Sequence, residues 1–374
     1  MEIYLHIGSH KTGTTTIQRA LHLNRKTLLR QGFFLPCSGR PNPHFAAQHN
    51  LCWEIRSDRR FDPQFGTWND LINEIDKQNN YEKILLSSED FCLLNLEQIH
   101  QVRQKLANHH AKIILYLRRQ DNLLQSIWSQ TIKSPTNPFK KAFSTFIQAN
   151  LDTPHRINYE RIIADWGAVF GRENLILRVL EKESLSGHLF HDFLDACGVP
   201  DADNYSLPKN VNESPGPKTI RLMYDIKTNW GKGNHRDPLI YLFALVNAFA
   251  EHAGWNDQRL NLVDQQIFDG ISALYADSNA QIARRFFQRD ALFLEPFKTN
   301  RLTPLENYAL SEAEWRALLN WLPIRALVRP SLAKNILNAR GDDKKIRLLI
   351  DAFRKINIHY LKWVSRLLIK LGKK

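Results

Sequence analysis

The sequence predicts a three-layer α/β/α fold with a central parallel sheet, followed by a mainly helical C-terminal region. Short apolar runs such as KIILYL (112–117) lack polar alternation, which is typical of strands covered on both faces. Such runs alternate with segments of helical periodicity, and this order indicates βαβ units. A glycine-rich turn joins the first strand to the first helix. We therefore expect parallel strands whose carboxyl ends share one edge of the sheet.

The first half of the chain supplies most of the predicted sheet. A strand over 2–7 runs into the glycine-rich turn, and a helix over 14–31 follows it. Ile17 and Leu21 lie on the apolar face of this helix, and Gly32 is its expected C-cap. The elements predicted after it are a helix near 67–78, a strand over 83–88, a helix over 95–108, a strand over 111–117, a strand over 174–180 and a helix over 184–198.

The later part of the chain is mainly helical in pattern. Helices are expected over 219–230, 238–253 and 264–289 because apolar residues recur there with helical spacing. Ser311 and Glu314 have the spacing of a capping box, which predicts a further helix start.

Charge is concentrated at the C-terminal end. The 374-residue chain has a formal net charge of +13, which favours acidic partners. Residues 340–374 contain eleven lysines and arginines against three aspartates, so this end carries +8 and the rest about +5. We expect an α/β domain over 1–300, including its later helices, and a basic helical extension over 301–374. An amphipathic helix over 353–374 either packs on the core or lies on an anionic membrane surface.

Composition excludes several classes of protein. Hydrophobic residues make up 43% and charged residues 24%, an ordinary balance without an apolar run long enough to span a membrane. The first strand begins by residue 3, so we expect no signal peptide and a cytoplasmic protein, peripheral at the inner membrane surface if its basic C-terminal helix binds lipid. Neither a zinc-finger spacing nor an aromatic RNA-binding motif is present, so no nucleic acid is expected. The four cysteines form no C-x-x-C pair, which argues against a disulfide framework or a zinc cluster: Cys37, Cys52, Cys92 and Cys197.

The glycine-rich turn, HIGSHKTGTTT, has the features of an anion site. Gly8 and Gly13 have the spacing of a phosphate-binding loop, and Thr15 fills its last position. Thr14 stands where the lysine of a kinase belongs, whereas Lys11 lies three residues earlier. Backbone N–H groups of such a turn, together with the N-terminus of the next helix, suit a phosphate.

The turn resembles the 5′-phosphosulfate loop of the sulfotransferases that use 3′-phosphoadenosine 5′-phosphosulfate as donor. Their loop typically reads P-K-[ST]-G-[ST]-T, and this chain matches it except that His10 replaces the proline. The resemblance implies a P-loop-type fold, donor binding by the loop without a metal, and stabilisation of the leaving group by Lys11. The other loop residues implied to bind the donor are His10, Thr12, Gly13, Thr14, Thr15 and Thr16.

A second motif strengthens the resemblance. Arg118 ends a predicted strand and Ser126 follows eight residues later, which matches the R-x₇-S clamp for the donor's 3′-phosphate. A terminal phosphate suits a bidentate guanidinium and a hydroxyl from the adjacent helix. The stretches 158–185 and 279–290 also look like the bacterial, carbohydrate-linked branch of the superfamily. The resemblance covers roughly residues 1–290.

The general base is expected at the end of the second long strand. Carbohydrate sulfotransferases often place a catalytic glutamate there, and Glu89 matches in position. A carboxylate is a credible base for a sugar hydroxyl. His44 and His49 are rival candidates, because cytosolic relatives use a histidine.

The acceptor side is less specified by the sequence. Asn212 and Ser214 fit an N-x-S element that the family often carries near the nucleotide. Phe45, Trp53 and Trp68 are aromatic candidates for stacking on a sugar ring, although tryptophans are often buried.

The resemblance implies transfer of a sulfuryl group to a hydroxyl acceptor, preferably a carbohydrate or glycolipid. Two alternatives stay open at this point. One is a Mg-dependent nucleotide kinase or NTPase with a degenerate loop, for which Asp90 is the candidate metal-holding acid. The other is a non-catalytic nucleotide- or glycan-binding protein of the same fold. The sequence identifies neither the acceptor nor the oligomeric state.

Overall fold

A five-stranded, all-parallel sheet organises the chain, in the strand order β2-β3-β1-β4-β5. The computed structural model describes residues 1–78, 81–151, 157–199, 205–208, 215–230, 236–297, 302–322 and 330–354. The strands are β1 (Glu2–His6), β2 (Phe33–Phe34), β3 (Lys83–Ser87), β4 (His110–Leu117) and β5 (Leu175–Val179).

Helices connect and cover the strands. In the first part of the chain they are α1 (Thr14–Leu23), α2 (Arg25–Arg30), α3 (His49–Ile55), α4 (Trp68–Asp76), α5 (Leu96–Lys105), α6 (Gln120–Lys133), α7 (Phe143–Leu151), α8 (Tyr159–Phe170) and α9 (Leu189–Ala196). The later ones are α10 (Pro217–Asn229), α11 (Arg236–His252), α12 (Gln265–Phe287), α13 (Glu312–Trp321), α14 (Pro330–Asn338) and α15 (Asp342–Arg354).

Both faces of the sheet are buried, as the lack of polar alternation in the strands predicts. Tyr4 and Tyr116 point to the face on which residues of α1 and α9 pack in one apolar cluster. The alternate residues, such as Ile3 and Leu115, are equally buried, and α8 packs on β4 and β5. The predicted fold class, a three-layer α/β/α arrangement followed by a mainly helical region, is confirmed.

Two predicted helices differ from the observed ones, and a polar side chain lies at each point of difference. The helix expected over 14–31 is divided at Asn24, whose side-chain amide donates to the carbonyls of Ala20 and Ser206. Its Oδ1 accepts the Ser206 N–H, so Asn24 binds a distant segment at the break. The helix expected from 184 begins only at α9, where the His188 ring accepts the Phe190 N–H as an N-cap.

The Ser311 capping box is present, with Glu314 reaching back to the Ser311 N–H. Contacts divide the chain into two compact units that interleave along the sequence. One comprises Met1–Leu124, Leu151–Asn212 and Phe268–Phe297, and the other comprises Gln125–Asn150, Glu213–Ile267 and Lys298–Lys374.

The boundary near residue 300 stays a prediction. Most of the predicted helix over 353–374 lies outside the described residues. Within the described part of the chain, no helix combines the length and apolar character needed to cross a bilayer.

Candidate active site

Three residues in the left-handed region shape the loop between β1 and α1. They are Gly8, Lys11 and Gly13, with φ values of 66°, 67° and 81°. At Gly13 an added Cβ would lie 2.2 Å from Cδ2 of Leu189, the first residue of α9, so the Leu189 side chain would have to move. α1 then begins at Thr14, and no acidic residue lies in its first turn. The loop therefore suits an anion at the N-terminus of a ten-residue helix.

Lys11 holds a conformation that costs a non-glycine residue on the order of 1–2 kcal/mol. Two hydrogen bonds stabilise the loop around it. Nη1 of Arg118 donates to the Lys11 carbonyl at 2.7 Å, and the Thr12 hydroxyl donates to the Ser9 carbonyl at 2.6 Å. The predicted leaving-group lysine and the predicted phosphate-binding arginine are thus in direct contact.

Thr14, Thr15 and Thr16 are the first three residues of α1, as the sequence predicts, and Thr12 precedes the helix by two residues. Thr12, Thr14 and Thr16 are buried, and Thr15 is half-buried. The Thr16 N–H is bonded back to the Gly13 carbonyl, which closes the first turn of the helix.

Glu89 begins a short 3₁₀ turn directly after β3, the Glu89 turn (Glu89–Leu93). This turn packs against the loop so closely that a Cβ on Gly8 would lie 2.7 Å from Cα of Glu89. The Glu89 carboxylate accepts a hydrogen bond at Oε2 from the side-chain amide of Gln18, 2.8 Å away on α1. Because β1 and β3 are neighbouring parallel strands, their carboxyl ends bring Glu89 beside the loop.

The two histidines that rival Glu89 as base lie in different surroundings. Nε2 of His49 is 3.9 Å from Oε2 of Glu89, and Nδ1 of His49 is 2.8 Å from the Ser88 hydroxyl. His44 is exposed, and its ring contacts the ring of His22 on α1. Of the two, His49 is the one that the structure places beside the Glu89 carboxylate.

His10 and Trp53, one of the predicted acceptor-side aromatics, both lie beside Asp90. Nε2 of His10 lies 3.6 Å from Oδ1 of Asp90, and the indole N–H of Trp53 donates to Oδ2 at 2.6 Å. Trp53 is also stacked on His49, with the Arg60 guanidinium 4.6 Å from its ring centroid. The Trp53 ring therefore already has two protein partners.

The other two aromatic candidates also have protein contacts. Trp68 is fully buried and donates to the Leu51 carbonyl, so it cannot stack on a sugar. Phe45 is half-buried beneath the guanidinium of Arg19.

Tyr159, the first residue of α8, holds the backbone of Arg118. Its hydroxyl accepts the Arg118 N–H at 3.0 Å and donates to the Arg118 carbonyl at 2.7 Å. Burial raises the pKa of Tyr159, which keeps the hydroxyl protonated as a donor. Ser126 is half-buried in the second turn of α6, and Asn212 and Ser214 lie outside the described residues.

A cavity of about 340 Å³ adjoins the far end of the Glu89 turn. Cys92, Asn95 and Trp166 contribute to its lining, together with the side chains of Arg56 and Arg161. The volume is within the range of small-molecule sites. Among the described residues, no group of three or more histidine, cysteine or acidic side chains is arranged to hold a metal ion.

Sequence reasoning missed two residues of this region, Gln18 and Tyr159. Gln18 follows Thr14 by one helical turn and precedes Leu21 by three residues, so it is a polar residue on the buried face of α1. That pattern is a usable signal for a buried polar contact. Nothing in the local sequence indicates that the Tyr159 hydroxyl meets Arg118.

Comparison with known proteins gives partial matches. No protein-family model matches the chain. A protein of Archaeoglobus fulgidus, described only as uncharacterized, is 31% identical over 134 residues, which is 35% of this chain and 35% of that protein. The match thus spans about a third of the relative's length. The crystal structure of a sulfotransferase from Alicyclobacillus acidocaldarius aligns with 59% of this chain and 89% of its own, at 14% identity and a TM-score of 0.38.

Proposed function

We propose that this chain is a sulfotransferase that moves a sulfuryl group from 3′-phosphoadenosine 5′-phosphosulfate to a hydroxyl acceptor. One observation carries the proposal: at the carboxyl ends of the strands, Glu89 packs on Gly8 of the Lys11 loop and Arg118 donates a hydrogen bond to the Lys11 carbonyl. Lys11, Glu89 and Arg118 thus follow three neighbouring parallel strands, which supports their proposed roles as leaving-group cation, base and phosphate-binding cation.

The loop would hold the 5′-phosphate of the donor. Its backbone N–H groups and the hydroxyls of Thr14, Thr15 and Thr16 are the proposed donors, with the N-terminus of α1 adding favourable electrostatics. Arg118 and Ser126 are proposed to bind the 3′-phosphate. A guanidinium has five N–H donors, so the bond from Arg118 to Lys11 is compatible with phosphate binding. Asn212 and Ser214 remain part of the proposed donor site on the resemblance alone.

The proposed chemistry is an in-line displacement at sulfur. The acceptor oxygen forms a bond to sulfur while the bond from sulfur to the bridging phosphate oxygen breaks. Glu89 accepts the hydroxyl proton, and Lys11 stabilises the negative charge on the departing oxygen of 3′,5′-diphosphoadenosine. A carbohydrate or glycolipid acceptor is proposed on the resemblance alone. A cytoplasmic location, peripheral at the inner membrane surface if the basic C-terminal end binds anionic lipid, is part of the same proposal.

The decisive test uses Lys11→Ala. With donor carrying labelled sulfur and a screen of glycan and lipid extracts as acceptors, the wild type transfers label. Lys11→Ala loses about 10²- to 10³-fold of that rate. Lys26→Ala is the matched control, because Lys26 is an exposed lysine on α2, and it keeps the wild-type rate.

Calorimetry distinguishes the proposal from a nucleotide kinase. The wild type binds 3′,5′-diphosphoadenosine in preference to ATP with Mg²⁺. The reverse preference, or equal transfer by wild type and Lys11→Ala, contradicts the proposal.

A further inference from the structure

We propose that Gln18 is a positioning residue, which orients the Glu89 carboxylate and ties it to the helix that carries the donor loop. The inference rests on the proposed function, because it gives Glu89 the role of the base.

The contact is a buried one. Gln18 is 2% exposed, and its Nε2 donates both to Oε2 of Glu89 at 2.8 Å and to the Ser87 hydroxyl at 3.3 Å. Its backbone carbonyl accepts the Ala46 N–H. A buried amide that donates hydrogen bonds to the Glu89 carboxylate and to Ser87 at the end of β3 has little freedom to turn. The carboxylate it contacts is therefore held in one orientation.

Gln18 lies one helical turn after Thr14 on α1. The same helix thus presents its N-terminus to the donor and its Gln18 amide to the base. Gly8 adds a second constraint, because its lack of a side chain lets the Glu89 backbone approach the loop. The donor loop and the base are consequently positioned by one rigid element, as an efficient transfer geometry requires.

The hydrogen bond from Gln18 also gives the two carboxylate oxygens of Glu89 different roles. Oε2 of Glu89 is bonded to Gln18 and lies near His49, so the inference assigns proton acceptance to Oε1. A hydrogen bond donated to a carboxylate favours its ionised form, which is the form that acts as a base.

The groups next to the Gln18 amide on β3 and β1 are uncharged. The Ser87 hydroxyl that accepts from Gln18 also lies 2.9 Å from Nδ1 of His6. Burial lowers the pKa of His6 to about 4, with the charge of Glu89 opposing that shift, so the ring is neutral at physiological pH. The titratable groups around Glu89 are His6 at the end of β1, His10 in the loop, His49 on α3 and Asp90 on the Glu89 turn.

The test is the pH dependence of the transfer rate in two variants. Gln18→Met keeps an unbranched side chain of similar length but donates no hydrogen bond. It lowers kcat at pH 7 by about ten- to a hundredfold, because it removes a hydrogen bond to a charged group. It leaves the donor KM unchanged and moves the acid limb of the pH–rate profile upwards by about one unit. Gln18→Glu moves that limb further, because two adjacent carboxylates resist simultaneous ionisation. Its kcat stays below the wild-type value at high pH, because an ionised carboxylate donates no hydrogen bond to Glu89.

Two controls keep the result specific. Gln120→Met removes a comparably buried amide, which bonds to Asn279, and leaves the profile of the wild type. His49→Asn, alone and with Gln18→Met, shows whether the acid limb belongs to His49. The inference requires that the limb remain in His49→Asn and still move when Gln18→Met is added.

Binding of 3′,5′-diphosphoadenosine reports that α1 is intact in each variant. If Gln18→Met does not fold, the pH–rate profile of Gln18→Glu tests the inference by itself. Gln18 variants with the wild-type profile, in an enzyme that Lys11→Ala inactivates, overturn the inference alone. A wild type that neither transfers nor binds 3′,5′-diphosphoadenosine overturns the proposed function, and the inference with it.

Discussion

Gly13 offers the sharpest test of the loop geometry. Its φ of 81° is unfavourable for any L side chain, and a Cβ there would lie 2.2 Å from Cδ2 of Leu189. Gly13→Ala therefore combines backbone strain with a steric clash. Gly32, which follows α2, has a similar φ of 84° but no atom within 4 Å of an added Cβ. Gly32→Ala therefore measures the strain without the clash.

The two contributions can be estimated separately. A left-handed alanine costs on the order of 1–2 kcal/mol relative to glycine. Overpacking against Leu189 adds about 1–3 kcal/mol, at the lower end if the leucine side chain can turn away. We expect Gly13→Ala to lower the free energy of unfolding by about 2–5 kcal/mol, and Gly32→Ala by about 1–2 kcal/mol.

Urea denaturation of the single variants and of Gly13→Ala/Leu189→Ala measures the difference. The double variant should recover most of the clash term, because Leu189→Ala removes the atom in conflict, while the strain remains. The reasoning is refuted if Gly13→Ala costs no more than Gly32→Ala. It is also refuted if Leu189→Ala gives no favourable coupling with Gly13→Ala.

Two further predictions concern His6 and Tyr159. Unfolded His6 binds a proton below about pH 6.5, whereas the folded state resists protonation until about pH 4. The unfolded state therefore gains protons first as the pH falls, and stability drops by about 2–3 kcal/mol between pH 7 and 4.5. His6→Gln makes this loss smaller in urea titrations at the two pH values. If the stability of His6→Gln falls with pH as steeply as that of the wild type, the result argues against a buried neutral ring. Tyr159→Phe removes both hydrogen bonds to the Arg118 backbone, so we expect a loss of about 2 kcal/mol of stability and weaker binding of 3′,5′-diphosphoadenosine; wild-type values for both contradict the proposed anchoring.

The parallel sheet could be predicted because its signals are local. The apolar runs of β1, β3 and β4 lack polar alternation, and that pattern is typical of strands buried on both faces. β2 was missed because its two residues, Phe33 and Phe34, are too few to show any period. The break at Asn24 was missed because its cause is a hydrogen bond to Ser206, far away in the sequence.

The loop was identified by its glycine spacing and by the position of its lysine, and both are properties of eleven consecutive residues. The sequence alone thus predicted an anion site in this loop and proposed Lys11 as the cation that meets the anion. It also supplied Glu89 and Arg118 as candidates, because each ends an apolar strand.

Only the tertiary structure decided how these residues meet. The packing of Glu89 on Gly8, the bond from Arg118 to the Lys11 carbonyl and the bond from Gln18 to Glu89 join residues 71 to 107 positions apart. Such contacts depend on which strands are neighbours and on which side chains face the same edge. Local periodicity carries no information about that choice, because it is made by the packing of the whole sheet.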